Sequence, residues 1–490
     1  MRIKVVLHYL GLLVAIVGLA MLLPLVWSLF IKEPDAARAF AISMAISLGS
    51  GLLLWRLTPL AADERRLSRR EAIALVAGGW ISVAVFGALP YELSGALPGY
   101  LDAFFEAVSG YTTTGATVFD PILNSIESQS QGILLWRSLT QWLGGMGIIM
   151  LFVALFPVLG IGAARLVEAE MPGQQGERLT ARIRDTAKAL WLIYLGLTIS
   201  EFILLRIAGM DIFDALTVTL STIPIGGFTP TTLSIGAYNS IFIEGIVIFF
   251  MIAAGVNFGL YFFLFWKRQP GRLFSNPEFR LYIALLIGFA ILINLDLIRN
   301  MGMSIGDAIR YGSFQTVSIM TTTGFSTYDF DTWPAFARSA LLILMVIGAS
   351  AGSTGGALKV IRLLVLAKYT YRRILLTFNP RAVVPLKVGG HTVPEGVTSR
   401  IIGLAILYFA TLAGGFLAMS ALGLDNMTAL SAVTASLGNV GPGLGGVGPT
   451  ESYFLIPPIG KGVLIFCMLA GRLELFTLMV LFSRAFWRWR

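Results

Sequence analysis

Cysteine, histidine and charged side chains are all scarce in this chain of 490 residues. The single cysteine, Cys467, lies in an apolar run and excludes a disulfide within the chain. The two histidines, His8 and His391, argue against a histidine-based metal or acid–base centre. Charged residues make up 13% of the chain, about half the share that is usual in soluble proteins. This deficit extends over the whole length and leaves no room for a large soluble domain.

Apolar residues account for 56% of the chain and form long uninterrupted runs. About 20 consecutive apolar residues cross a bilayer. The long runs are 5–31, 38–58, 71–94, 131–160, 187–208, 239–266, 279–298, 335–368, 399–422 and 457–486. The first run lacks the cleavage site of a signal peptide, so we interpret it as a retained membrane helix. The sequence therefore predicts a polytopic membrane protein.

Shorter apolar runs alternate with some of the long ones, and each has about half the length that a bilayer requires. They are 98–112, 211–223, 304–320 and 425–437, and they begin at Pro98, Asp211, Ser304 and Asp425, which are turn or cap residues. A glycine-rich loop follows each run: loop 1 (111–116), loop 2 (224–229), loop 3 (320–326) and loop 4 (438–443). Polar, glycine-bent backbone at membrane depth must line a cavity or be buried in protein. Four such loops suggest four walls of one pore.

The key glycines of the loops recur about every hundred residues, which indicates tandem units. Lysine and arginine gather between the units, within 56–70, 165–188, 267–280, 359–400 and 484–490. The positive-inside rule then places these connectors in the cytoplasm and all four loops on the outer side. This rule explains the net charge of +9 better than nucleic-acid binding does. Placing all loops on one side requires two spanning helices and one re-entrant hairpin per unit, in parallel repeats.

The predicted organisation follows from this count of spans. Two N-terminal membrane helices precede four pore repeats, and the third repeat also carries an interruption in its second helix. The ranges are 1–60 for the N-terminal helices, then 61–165, 166–270, 271–390 and 391–490 for the repeats.

The loops have the chemistry of a monovalent-cation site. Glycine permits backbone angles that other residues resist, and a ring of backbone carbonyls can replace the hydration shell of a cation. The helix before each loop also directs its negative dipole end at the site. Anions would favour helix N-termini, and divalent cations would favour carboxylates. One such loop alone would suggest only a turn or close helix packing, but four in matching positions favour a cation pore.

With these loops, the chain resembles the Trk/Ktr/HKT superfamily of potassium transporters and, within it, the TrkH type. The resemblance covers nearly the whole chain and depends on one key glycine per loop. Further support comes from Gln141-Trp-Leu-Gly-Gly-Met-Gly147, Gly352-Ser-Thr-Gly-Gly-Ala-Leu-Lys359 and Gly471-Arg472-Leu-Glu-Leu475. It implies an all-α polytopic membrane protein with four tandem helix–pore-loop–helix repeats around a pseudo-fourfold pore, plus two extra N-terminal transmembrane helices.

The resemblance implies a potassium-binding filter at the loops. Its residues would be Thr113, Thr114, Gly115, Ile225, Gly226, Gly227, Thr322, Thr323, Gly324, Asn439, Val440 and Gly441. Plant members of the superfamily with serine in place of the first glycine conduct sodium more freely, so Gly115 implies a preference for potassium. Loop 2 departs from the pattern with Pro224, and loop 4 has Asn439-Val440 in place of threonines. We therefore expect unequal walls that share only the backbone near each glycine, with one well-formed site.

The run 335–368 is interrupted by Gly348-Ala-Ser-Ala-Gly-Ser-Thr-Gly-Gly356, which is a poor helix interior. A phosphate-binding loop is excluded because the spacing to Lys359 is wrong and no strand precedes it. A kinked helix with no other role remains an alternative. The resemblance implies an intramembrane gate loop below the filter. The predicted gate residues are Gly348, Ser350, Gly352, Ser353, Thr354, Gly355, Gly356, Lys359 and Arg472.

Arg472 is a charge deep in a membrane segment, where charges are costly and usually face the protein interior. One alternative is a structural pair with an acid, although Glu474 is two residues away and does not share its helix face. The resemblance instead implies a position near the pore axis, where the arginine would oppose cation passage. Asn257 and Lys359 are weaker candidates for such a role, and the alternative for both is to cap a helix or satisfy a break in the backbone.

The predicted function is potassium uptake across the bacterial inner membrane by a gated, channel-like, multi-pass protein that is not an enzyme. The expected ligand is potassium, with no organic cofactor in this chain. Expected partners are a second copy, the lipid bilayer and a cytosolic TrkA-type nucleotide-binding ring docked on the basic connector 369–398, but no nucleic acid. An ion-coupled secondary transporter is the alternative, although it would favour inverted repeats and buried acids. A membrane enzyme would need clustered His, Asp or Glu.

Overall fold

The computed structural model describes residues 1–61, 68–155 and 183–488. Helices and the loops that join them make up these parts, together with one antiparallel hairpin of two short strands, β1 (Lys387–Val388) and β2 (His391–Thr392). The predicted boundary between 61–165 and 166–270 lies outside the described residues. Parts of the basic clusters 56–70 and 165–188 lie outside them as well.

Three helices precede the repeating part of the chain: α1 (Ile3–Ala20), α2 (Leu22–Phe30) and α3 (Pro34–Leu57). The helices α1 and α3 pack with their backbones in close contact. A methyl group at Gly11 would lie 2.8 Å from the Gly51 carbonyl oxygen, and one at Gly51 would lie 2.6 Å from the Ala15 nitrogen. Small residues therefore allow these two helices to form a tight pair, as is usual in membranes.

The remaining helices repeat one order four times: a long helix, a short helix, a glycine loop and a second long helix. The first unit contains α4 (Arg69–Gly87), α5 (Leu89–Leu93), α6 (Tyr100–Tyr111) and α7 (Gln131–Leu155). The second contains α8 (Ile183–Ile207), α9 (Ile212–Thr222), α10 (Ile241–Ala254), α11 (Phe258–Phe265) and α12 (Gly271–Ser275).

The third unit contains α13 (Pro277–Asn300), α14 (Ile305–Asp307), α15 (Ser313–Met320), α16 (Ala335–Ile347) and α17 (Val360–Phe378), with a π-helical turn, Ala308–Gly312, before α15. The fourth contains α18 (Glu395–Ala421), α19 (Asn426–Gly438), α20 (Pro458–Arg472), α21 (Leu475–Phe482) and α22 (Arg484–Arg488). Short 3-10 helices are Ile126–Ser128, Ser234–Tyr238, Phe330–Thr332, Gly445–Val447 and Tyr453–Leu455.

The described part of the chain has six helices that are long and apolar enough to cross a membrane, or up to eight spans if each bent helix pair counts as one. The bent pairs correct two predictions of unbroken runs. The run 239–266 turns by 96° between α10 and α11, where Asn257 caps α11 by accepting from the Gly259 amide at 2.8 Å. The run 457–486 turns by 118° after Arg472, where Glu474 has a left-handed φ of 58°.

The short helices begin at polar caps, as the sequence predicts for three of them. Asp211 accepts from the Phe213 amide at 3.0 Å, Ser304 from the Asp307 amide at 3.1 Å, and Asp425 from the Thr428 amide at 3.0 Å. Each bond satisfies an amide that the first helical turn leaves without a partner. The first short helix differs, because Pro98 lies in the bend before α6, which begins after Gly99 and has no side-chain cap.

Polar contacts join neighbouring units at all four seams of the bundle. Arg137 of the first unit donates to the Thr229 carbonyl of the second at 3.1 Å and pairs with the buried Glu106 at 2.9 Å. The other seams are held by Arg310–Glu244 at 2.6 Å, Asp331 with the Gly445 amide at 3.1 Å, and Lys461–Asp102 at 2.6 Å. Two seams thus carry a charge pair and two carry a hydrogen bond to backbone, so each unit has a polar contact with the next one around the loops.

Candidate functional site

The four loops meet in the centre of the structure. Their key glycines, Gly115, Gly227, Gly324 and Gly441, all line one cavity of about 70 Å³. The same cavity is lined by residues that follow the glycines, such as Thr117. The structure therefore brings together one wall from each unit, as the sequence predicts.

The glycines close a ring in which each loop contacts the next. A methyl group at any of them would meet a backbone carbonyl oxygen of the following loop, and at Gly441 this distance is 2.6 Å, to Thr114. The contacts in chain order are Gly115 with Gly226, Gly227 with Thr323, Gly324 with Val440, and Gly441 with Thr114. All four glycines have left-handed φ angles of 83–99°. Conformation and packing therefore both require glycine at these four positions. The order of contacts around the ring also places loops 1 and 3 opposite each other.

The backbone of the four loops follows one pattern. The residue two positions before each glycine is also left-handed, although none of these residues is glycine: Thr113, Ile225, Thr322 and Asn439 have φ angles of 53–66°. The next amide donates to a short-helix carbonyl five residues earlier, in the bonds Thr114–Ser109, Gly226–Ser221, Thr323–Ser318 and Val440–Ala435, at 2.8–2.9 Å. This is the Schellman arrangement of a helix end. It engages the amide of this residue with the helix, while the carbonyl oxygen of the same residue faces a neighbouring loop.

Side chains divide the loops into two kinds. In loop 1 the hydroxyls of Thr112 and Thr114 are hydrogen-bonded at 2.7 Å, and in loop 3 those of Thr321 and Thr323 are bonded at 2.8 Å. The matching positions are Pro224 and Gly226 in loop 2, and Gly438 and Val440 in loop 4, so neither loop can form this pair. The walls share a backbone but differ in their side chains, which is the inequality expected from the sequence.

Loops 2 and 4 are held from outside instead. Gln141 of α7 donates to the Gly226 carbonyl at 2.6 Å and accepts from the Phe228 amide at 3.1 Å. Tyr453 donates from its hydroxyl to the Gly441 carbonyl at 2.7 Å. Sequence reasoning missed both side chains as contributors to the loops. Only the position of Gln141 at the head of the motif 141–147 could have indicated a role.

The interruption predicted in the run 335–368 is present between α16 and α17, at 348–359. Its residues are buried, apart from the half-buried Gly352. Four hydrogen bonds join the segment to its neighbours. Three lead to the second unit: Ser350 N to Gly255 O at 3.1 Å, Phe258 N to Gly352 O at 3.0 Å, and Thr354 Oγ1 to Ile223 O at 3.2 Å. The fourth leads to loop 3, from Gly356 N to Thr322 Oγ1 at 3.1 Å. Of the predicted gate residues, Thr354 and Gly356 contact the ends of loops or short helices directly.

Arg472 reaches the same segment from the end of α20. Its side chain is 4% exposed and donates to the carbonyls of Thr354 at 2.8 Å and Gly144 at 3.1 Å. Among the described residues it forms no ion pair. Glu474 pairs instead with Arg362 at 2.6 Å and with Lys359 at 3.4 Å. Lys359 therefore belongs to an ion pair at the edge of the segment, whereas Arg472 directs its charge at the segment itself.

Comparison with known proteins assigns the chain to a family. A family model described as "TrkH: Cation transport protein" matches residues 37–488. The chain belongs to the TrkH family. It is 38% identical over 494 residues to the Trk system potassium uptake protein TrkH of Halomonas elongata, and 39% identical over 492 residues to that of Escherichia coli strain K12, with 100% of each chain covered.

A solved structure has the same fold as this TrkH-family chain. The crystal structure of the potassium transporter TrkH from Vibrio parahaemolyticus superposes with a TM-score of 0.90 at 37% identity and covers 100% of both chains. The resemblance inferred from the loops is thus confirmed, as is the all-α polytopic membrane fold. The TrkH-family relatives are named as transport proteins, so the prediction that this chain is not an enzyme is also confirmed.

Proposed function

We propose that this chain takes up potassium across the bacterial inner membrane through a channel-like pore whose selectivity filter is the ring of four loops. One observation supports this most strongly: each loop glycine packs against a carbonyl of the next loop until the ring closes. The curated relatives are named as Trk system potassium uptake proteins, which supports potassium as the cargo.

The filter chemistry follows from the loop backbone. The amide before each key glycine is bonded to a short helix, whereas carbonyl oxygens of the same loops are left to coordinate an ion. Potassium would be held at the twelve predicted positions, which are 113–115, 225–227, 322–324 and 439–441. The short helices end at these loops, so their negative dipole ends add to the attraction for a cation. A membrane potential of 100 mV, negative inside, supplies roughly 2.3 kcal/mol per charge, which drives uptake without hydrolysis in this chain.

Gating would involve the segment 348–359 and Arg472. The segment is attached to its neighbours mainly by single hydrogen bonds, each of which contributes only about 1 kcal/mol. Opening would exchange the contacts at Thr354 and Gly356 for water or for other protein groups. Arg472 carries a buried positive charge to the same segment and would oppose a cation passing it.

The organisation and partners inferred from the resemblance extend this proposal. The pore would be built from the repeats 61–165, 166–270, 271–390 and 391–490 after the N-terminal helices of 1–60. Two copies would assemble in the membrane, and a cytosolic TrkA-type ring would bind the basic connector after α17. The name "Trk system" carried by the relatives supports an assembly of more than one component.

Proton-coupled potassium transport is the second candidate, and one side chain favours it. Glu201 in the middle of α8 is fully buried. Thr222 lies beside this carboxyl, and its hydroxyl is also within hydrogen-bond distance of the Val218 carbonyl, at 2.9 Å. Buried membrane carboxyls are common proton carriers. In this scheme, Glu201 would load and release a proton in each transport cycle.

Flux from purified protein in liposomes separates the two candidates. The channel proposal predicts potassium-dependent flux that follows the membrane potential and continues without a pH gradient. The variant E201Q should then keep wild-type flux. Flux that requires a pH gradient, and that E201Q uncouples from it, would replace the channel proposal with the coupled one. Empty liposomes provide the baseline, and addition of the cytosolic partner tests its effect on gating.

A further inference from the structure

Loop 2 lacks a side chain where the other loops have one. The residue directly before the key glycine is Thr114 in loop 1, Thr323 in loop 3 and Val440 in loop 4, but Gly226 in loop 2. Gly226 does not have the left-handed φ that its neighbour Gly227 has. Its backbone conformation is therefore open to residues with a side chain, and the glycine requires another explanation.

The space beside Gly226 is occupied by Gln141. A methyl group at Gly226 would lie 2.5 Å from Oε1 and 2.9 Å from Nε2 of this glutamine. Real Cβ atoms do not approach other atoms at 2.5 Å, so a side chain at Gly226 would require the Gln141 carboxamide to shift from its present position. The helix α7 thus carries a side chain of the first unit into the position that a residue of loop 2 would otherwise fill.

The carboxamide of Gln141 is fully buried and bonded on both sides. Nε2 donates to the Gly226 carbonyl at 2.6 Å, and Oε1 accepts from the Phe228 amide at 3.1 Å. A carbonyl needs a donor and an amide needs an acceptor, so these partners determine the orientation of the carboxamide. One side chain therefore spans the two residues on either side of Gly227.

This bond makes the four ring carbonyls unequal. The Gly226 oxygen is the one that faces Gly115 across the seam between the first two units. Among the described residues, the equivalent carbonyls of Thr114, Thr323 and Val440 accept no hydrogen bond. The Gly226 carbonyl cannot change its position or direction without disturbing its bond to Gln141, whereas the other three oxygens have no such restraint.

We propose that Gln141 is a positioning residue that braces loop 2 from the neighbouring helix and thereby strengthens the preference of the filter for potassium over sodium. The inference depends on the proposed potassium-selective pore. If wild-type protein shows no selective potassium flux, the proposed function fails. If wild-type protein is selective but Gln141 has no influence on selectivity, only this inference fails.

The test compares three variants in liposomes: Q141A, G226T and the double variant Q141A/G226T. Reversal potentials in mixed potassium and sodium solutions give the permeability ratio, and thermal unfolding of the same samples gives stability. Q131A is the matched control, because Gln131 is an exposed glutamine at the start of the same helix, bonded to Trp27 at 3.1 Å.

Q141A removes both hydrogen bonds of the carboxamide. It should lower the potassium-to-sodium permeability ratio roughly fivefold, the equivalent of the lost bond to the Gly226 carbonyl, which is the one on the ring. G226T alone should lower the permeability ratio further than Q141A does, because the threonine side chain collides with Gln141. The double variant should recover part of the ratio, since the new threonine fills the vacated space while Pro224 still prevents a hydroxyl pair. Q131A should have the same permeability ratio as wild-type protein.

Two results would overturn the inference. One is a wild-type permeability ratio in folded Q141A, even if its unfolding temperature falls, because that would reduce Gln141 to a structural role. The other is a G226T variant that is as selective with Gln141 present as it is in the Q141A background. Recovery in the double variant beyond both single variants supports the brace.

Discussion

Loops 1 and 3 are braced by their own threonines, whereas loops 2 and 4 depend on side chains from elsewhere. The hydroxyl pairs Thr112–Thr114 and Thr321–Thr323 lie within one loop each. Loop 2 uses Gln141 and loop 4 uses Tyr453. Since loops 1 and 3 face each other across the ring, the backbone is nearly fourfold while the bracing is nearly twofold. In the proposed filter, the shared backbone and the differing braces would therefore make separable contributions to ion selection.

Replacing a ring glycine should have the largest effect, because it disturbs the backbone that all loops share. G115S requires a left-handed serine, at a cost of about 1–2 kcal/mol, and its side chain would displace the Gly226 carbonyl. We expect the potassium-to-sodium permeability ratio to fall on the order of tenfold. The check is the reversal potential in mixed solutions, and an unchanged value would remove Gly115 from the filter.

The position of the four loops is predictable from the sequence, and Gly115 was identified as a filter residue in this way. Short helices and glycine loops have local signatures, and the segment 348–356 is long enough to interrupt a hydrophobic run visibly. The bends at Asn257 and Glu474 were missed because only two or three residues break the helix while the apolar pattern continues. Gln141 and Tyr453 were missed because their contacts join residues that are far apart in loop and helix, and no local pattern encodes such contacts.

Removing an internal brace should have the next largest effect, and the two braces of this kind should differ. T114V breaks the hydroxyl pair and also leaves the Asn439 amide, which donates to Thr114 at 2.9 Å, without this acceptor. An unsatisfied buried donor costs about 1–3 kcal/mol. T323V breaks only the hydroxyl pair with Thr321, which should cost about 1 kcal/mol of stability. Thermal unfolding and reversal potentials should therefore rank T114V as the more damaging, and equal effects would argue against the contact with Asn439.

Removing the external brace of loop 4 should have a smaller effect. Y453F keeps the ring in place but loses the hydrogen bond to the Gly441 carbonyl. We expect at most a roughly fivefold decrease in the permeability ratio. A comparison of the permeability ratios of Y453F and T323V shows whether an external brace contributes as much to selectivity as an internal one. A decrease larger than that of G115S would contradict the view that the shared backbone dominates.

The smallest effect on selectivity should come from the segment beneath the loops. R472A removes the buried charge that contacts Thr354 and should raise potassium flux, while the permeability ratio stays close to wild type. R299A, an exposed change at the end of α13, is the control. Loss of folded protein, with no increase in flux per folded molecule, would instead assign Arg472 a purely structural role. A changed ratio would mean that selection extends below the loops.

The most direct test of the ring is to measure reversal potentials for G115S, G227S, G324S and G441S side by side in mixed potassium and sodium solutions. All four glycines have left-handed φ angles and pack against the next loop. The ring therefore predicts a clear loss of potassium preference in every variant. A folded variant that retains wild-type selectivity would show that its loop is not a wall of the filter, and it would contradict the fourfold ring.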